Sequence, residues 1–206
     1  MPFRCPCRSA WAALAVAAIL LAGPVLAEDA LLSRLVDPQV AYAADLTMTS
    51  GEVRISGRIH HRPGQTRSEF DSRGQRTVTI IDRTRKRVWI VMASSRQYME
   101  MPLRGDVVSA FLPPNVTREQ VKLTSLGKET VGGVSTGKIR VEHPMGRSVM
   151  WVTEDGIMVK MDGVSTAGGR QTKVTMRLRN VKRGPQDAAL FRIPAGYKKL
   201  AIPGRR

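Results

Sequence analysis

The sequence predicts a mainly β protein: a curled antiparallel sheet forming an unclosed barrel of about eleven strands, with an N-terminal helix and a short helical lid or plug. Three observations predict it. Apolar and polar residues alternate with period two through most of the chain beyond residue 40, giving each strand one dry and one wet face. Turn clusters separate these runs at short intervals, and no helical pattern recurs that could supply the crossovers parallel strands need. Ten or eleven strands in one domain exceed a comfortable flat layer, so the sheet must curl.

The first stretch is expected to be a leader rather than part of the fold. "MPFRCPCR" is basic, "SAWAALAVAAILLAG" is apolar, and "VLA" before Glu28 has the small-x-small form of a cleavage site. Cleavage is expected after Ala27, making 1–27 a signal peptide and 28–206 a single domain with no integral membrane span. Both cysteines, Cys5 and Cys7, leave with it. The remaining chain must be stabilised by its core rather than by disulfides. This composition fits export to a bacterial periplasm. The formal charge of +16 falls to about +14 when Arg4 and Arg8 are removed, a field that draws anionic partners.

Each element follows from its local pattern. "EDALLSRLV" puts Leu31, Leu32, Leu35 and Val36 on one helical side, with Glu28 and Asp29 at the favourable end and Pro38 as the stop. Tyr42 to Thr49 and "EVRISGRIHH" pair across Ser50-Gly51. "TRSEFDSRGQRTVTIID" gives two strands around Ser72 to Gly74. "KRVWIVMASSRQYMEM" gives two more around Ser94-Ser95. "LRGDVVSAFLPP" spaces Val107, Val108, Phe111 and Leu112 helically and ends at Pro113-Pro114, which reads as a lid or plug. Gly132-Gly133 and "EDG" at 154–156 are hairpin turns. "AGG" at 167–169 leads into "QTKVTMRLRNV", expected to end at Arg179. In the tail, Asp187 caps a single turn through "AALF", Leu190 and Phe191 enter the end of the curved sheet, and Pro194 and Gly196 fold the chain back so that Tyr197 lies on the core. "VWIVM" and "VMWV" are apolar on both faces, so each side of the sheet there needs a cover.

Several chemistries are not advertised. His60 and His61 point to opposite faces of a strand, as do Glu142 and His143, and no metal-ligand spacing is present. "GGVSTG" lacks the pattern and following helix of a phosphate loop, and no serine nucleophile motif occurs. Glu69, Glu100 and Asp162 leave a paired-carboxylate hydrolase open until their positions are known. A recognition helix or stacking platform for nucleic acid is missing. No cofactor is expected, and a non-catalytic monomer is.

What the chain does offer is methionine. Ten occur, and nine lie beyond the leader: Met48, Met92, Met99, Met101, Met145, Met150, Met158, Met161 and Met176. Methionine fills cores but also adapts to promiscuous apolar ligands. The expected hydrophobic wall and lid comprise Trp89, Val91, Met99, Met101, Val107, Val108, Phe111, Leu112, Met150 and Val152. Arginines at the strand rims would meet an anionic head group.

Taken in order, "RISGRIHHRPGQTRSEF", "VTIIDRTRKRVWIVMASSRQYMEMPL", "LGKETVGGVSTGKIRVE", "MWVTEDGIMVKMDG" and "RLRNVKRGPQDAALFRIPAGYKKL" resemble the periplasmic LolA-like superfamily. The resemblance runs from about Val40 to Leu200 and is nearest to a branch ending in F-x-x-P-x-G-Y. It implies an open antiparallel barrel around a helical lid, here Gly105 to Leu112, and a cavity for the acyl chains of lipoproteins. It also implies an early-strand arginine that latches the lid or contacts a head group, for which Arg58 and Arg67 are both candidates. The implied function is binding or carrying lipid or acylated lipoprotein, with outer-membrane lipoprotein sorting as one form. The alternative is an envelope sensor or assembly factor that binds a protein partner through the same face. The related receptor is itself a lipoprotein, whereas this chain has no cysteine at its cleavage point.

Overall fold

Alternating, turn-punctuated segments bury one face each only by pairing with their sequence neighbours, and the chain does this almost throughout. The computed structural model describes residues 37–72, 75–103 and 116–200. The twelve strands are β1 (Tyr42–Ser50), β2 (Val53–Arg62), β3 (Gln65–Ser72), β4 (Gln75–Asp82), β5 (Arg87–Met92), β6 (Gln97–Pro102), β7 (Lys122–Val131), β8 (Val134–His143), β9 (Gly146–Val152), β10 (Met158–Ser165), β11 (Thr172–Arg183) and β12 (Lys198–Lys199). They form one curled sheet in the order β12-β6-β5-β4-β3-β2-β1-β11-β10-β9-β8-β7. The end strands β12 and β7 do not pair with each other, so the barrel stays unclosed. The strands from β1 to β11 pair antiparallel.

Two details depart from the sequence reading. β11 runs on to Arg183 rather than stopping at Arg179, because a bulge at Asn180, with φ of 52°, absorbs one residue and keeps the pairing with β1. A twelfth strand exists: Lys198 and Lys199 pair parallel with Gln97 and Tyr98 of β6. Two charged residues carry no strand periodicity, so the pattern could not reveal it. The expected helix at 31–36 and the helical lid at 105–112 lie outside the described residues.

A cover for the doubly apolar "VWIVM" strand is the tail. Asp187 Oδ1 accepts from the Ala189 N–H at 2.9 Å and starts a 3-10 turn over Ala188–Phe191. Phe191, 2% exposed, then packs on Val78, Ile80, Trp89 and Val91, flanked by Leu190, Ile193, Tyr98 and Tyr197. The side chain therefore lands on a face of β4 and β5 rather than at the sheet's end. The Arg62 guanidinium sits 4.8 Å from the centre of its ring. A second cluster joins Val116, Val121 and Leu123 to Ile139, Val141 and Val152. A third gathers Tyr42, Ala44, Trp151, Ile157 and Val159.

Candidate functional site

Residues directly opposite in an antiparallel ladder share a face, and neighbours along a strand alternate faces. The register therefore sorts side chains into two sets. One row reads Ile55, Met48, Met176, Met161, Met150, Ile139 across β2, β1, β11, β10, β9 and β8. Four consecutive methionines thus stand side by side. On the same face, Ile59 leads through Ser68 and Thr79 to Ile90 and Met99, and Met101 stands opposite Val88. Met176 is buried, whereas Met48, Met99, Met101, Met150 and Met161 are half-buried. This methionine face is an apolar surface of thioethers that change shape cheaply.

The register divides the expected wall residues. Met99, Met101, Met150 and Val152 lie on the methionine face. Trp89 and Val91 alternate with Val88 and Ile90, so they point to the other side, beneath Phe191. Val107, Val108, Phe111 and Leu112 fall outside the described residues. Met48, Met161 and Met176 also belong to the row, beyond the residues of the expected wall. Their spacing in sequence carries no hint of it, because only pairing over more than a hundred residues puts Met48 beside Met176.

Arg58 and Arg67 both lie opposite the methionine face, on what is here the arginine face: Arg58 pairs with Glu69, and Arg67 with Ile80. Arg58 is half exposed and reaches Asp45 at 3.4 Å. Arg67 is more deeply placed; its Nε donates to Glu69 Oε1 at 2.6 Å and its Nη1 to the Leu190 carbonyl at 2.9 Å. Arg76 donates to the other oxygen of Glu69. Burial works to raise the Glu69 pKa, but the two guanidiniums outweigh it and hold the carboxyl below its usual range. The Arg67 guanidinium is thus committed to the tail and to Glu69.

The other carboxylates weighed for hydrolysis are committed as well. Glu100 accepts from Trp89 Nε1 at 3.3 Å and meets Arg87 and Lys199, each at 3.4 Å. Asp162 is shared by Arg177 at 2.6 Å and Lys160 at 3.4 Å. Among the described residues no three of His, Cys, Asp and Glu gather as metal ligands would.

Two glycines shape the methionine face. Gly57, opposite Leu46 and Phe70, has so little room that an added Cβ would lie 1.8 Å from the Glu69 carbonyl oxygen. Gly163, two residues beyond Met161, would place a Cβ 2.8 Å from Ser148 Cβ. Such mid-strand glycines let neighbouring backbones approach and the sheet bend.

One border of this face is polar and buried. His61, 1% exposed, donates from Nε2 to the Pro38 carbonyl at 2.8 Å, so Nδ1 accepts from Thr66 Oγ1 at 3.0 Å. Arg83 donates to the same Thr66 oxygen at 3.0 Å and approaches Asp37 at 3.8 Å. Burial is the main cause that lowers the His61 pKa, against the upward pull of Pro38 and Asp37. Burial also pushes Tyr42, whose ring lies 5.3 Å from that of His61, up to about 12.

An uncharacterized conserved protein from Thermus thermophilus superposes with a TM-score of 0.60 at 16% identity, covering 84% of this chain and 98% of that one. MucB in the Pseudomonas aeruginosa MucA/MucB complex gives 0.51 at 16% identity, covering 78% of this chain and 59% of that one. This chain therefore spans about three fifths of MucB. These likenesses show a shared fold. A LolA superfamily protein from Nitrosomonas europaea matches at 0.40 and 10% identity, covering 80% of this chain and 96% of that one, and carries no argument at that score. No curated protein matches the chain. A family model described as "Domain of unknown function (DUF4412)" matches residues 43–161. That span contains β2 to β9 whole and nearly all of β1, but it ends before F-x-x-P-x-G-Y and so leaves the expected branch without support. Over more than half its length the sequence fits this model, and the chain belongs to the DUF4412 family.

Proposed function

We propose that this protein is a non-catalytic binding or carrier protein that takes lipid or acylated ligands on its methionine face. The observation that carries the proposal is the unbroken row Ile55, Met48, Met176, Met161, Met150, Ile139 across six strands. A sheet face turned to water carries polar side chains at such positions, whereas this row is apolar and mostly only half-buried. Adjacent thioethers suit a chain of methylenes, since each buried CH₂ gains about 0.8 kcal/mol and methionine adapts to its path. In this proposal 1–27 is a leader removed after Ala27 and the mature monomer works in the periplasm. Outer-membrane lipoprotein sorting is one process that would use such a carrier.

The test is displacement of a fluorescent fatty acid from the purified protein by a panel of lipids and lipopeptides. Met161→Asp is expected to weaken acyl binding at least about tenfold, because a charge must then be desolvated against the ligand. Failure of the whole panel to bind, or unchanged affinity in a folded Met161→Asp protein, would sink the proposal. A second reading is favoured by the MucB likeness, since that protein is solved in complex with MucA. In it the same face receives a protein partner. A peptide that binds while every lipid fails would select it.

A further inference from the structure

The opposite face carries a different signal. We propose that the exposed part of the arginine face is a docking surface for an anionic phospholipid bilayer. It is separate from the methionine face and does not depend on what that face binds.

The argument starts from register. Arg54 on β2, Lys173 and Arg179 on β11, Arg147 on β9 and Arg140 on β8 all fall on this one side. All five are exposed, and none has a carboxylate within 4 Å among the described residues. Glu142 and Asp71 face the same way outside any ion pair and offset part of that charge. Asp162, however, is shared by two cations, as is Glu69, so the side keeps a positive surplus. From β8 to β2 is five strand spacings, roughly 24 Å at about 4.8 Å each. Charges spread over such a width match an array of head groups rather than one small anion.

Local shape agrees. Arg140, Arg147 and Lys173 line an open hollow of about 610 Å³, with Glu142 and Asp162 on its wall. Nucleic acid is the poorer match. On the strands that carry these cations, the indole of Trp151 is 5% exposed beneath Lys160, whose Nζ lies 3.8 Å from the ring centre, so it is closed to base stacking.

The test is flotation of the purified protein with phosphatidylcholine vesicles, with and without about 30% phosphatidylglycerol. Each basic residue near an anionic surface contributes about fivefold to affinity. Binding is expected only to the anionic vesicles, and it should fade as salt shortens the Debye length. Reversing Arg140, Arg147 and Lys173 to Glu should weaken it at least about 100-fold, and the milder Arg140→Gln, Lys173→Gln pair, which keeps the fold under less strain, at least about tenfold. Met161→Asp, on the other face, should float like the wild type. Failure of the docking proposal and failure of the acyl-binding reading are therefore distinguishable. Equal binding to neutral vesicles, undiminished binding of the neutralised pair, or efficient displacement by a short DNA duplex would overturn the proposal.

Discussion

The Nη1 of Arg67 donates to the carbonyl of Leu190 across 2.9 Å, fastening the third strand to a tail 123 residues further along. The same guanidinium holds Glu69, so one side chain satisfies a nearly buried carboxylate and a backbone acceptor together. Arg67→Ala leaves both short of a donor. It is expected to cost about 2 kcal/mol, in the range for hydrogen bonds to charged groups, and to speed amide exchange over 188–199. A urea midpoint and exchange pattern like the wild type's would show that the tail is held by packing alone.

Phe191 carries that packing. Its ring is 2% exposed against Val78, Ile80, Trp89 and Val91. Phe191→Ala should destabilise the fold by about 3–5 kcal/mol, the usual cost of truncating a buried aromatic. A loss below about 1 kcal/mol in denaturant unfolding would contradict the placement.

Gly57 has no room for a methyl group. An added Cβ would stand 1.8 Å from the Glu69 carbonyl oxygen and 3.0 Å from Phe70 Cδ1, and backbone cannot swing aside as a side-chain tip can. Gly57→Ala should cost at least about 3 kcal/mol, at the upper end of overpacking penalties. Gly132→Ala is the useful contrast. Open space surrounds it, and its cost comes from a φ of 58° rather than from a collision. Thermal melts of the two variants that shift equally would show that β2 and β3 can spread.

His61 gives stability a pH dependence. Burial lowers its folded pKa below the ordinary 6.5, so the unfolded chain takes up a proton first as the solution acidifies. The stabilisation is complete above about 6.5 and is lost as pH falls from there through the folded value. His61→Gln should be flatter across that window. His143, whose pKa burial also lowers, contributes equally to both proteins and cancels in the comparison. Parallel stability curves for the two proteins between pH 7 and pH 5 would exclude His61 as the source.

Much of this architecture is legible residue by residue. Alternation in "EVRISGRIHH", the glycine pair at 132–133 and the "EDG" turn locate strands and hairpins because backbone geometry alone makes them periodic. The two-sided greasiness of "VWIVM" correctly demands a cover, and Asp187 announces the turn from which Phe191 supplies one. The Met-rich composition points to a soft apolar surface. Period two fixes that Trp89 and Met99 cannot be judged together until their strands are paired, since the face a residue occupies depends on its partner's register.

The sequence by itself determined the strands, the turns, the strongly basic charge and the surplus of methionine, because each is a local or additive property. Only the tertiary structure decided that Met48, Met176, Met161 and Met150 form one row, that Trp89 and Val91 turn away from it, and that Arg67 holds the tail. Those outcomes come from pairing between distant segments, where a one-residue slip sends a side chain to the other face.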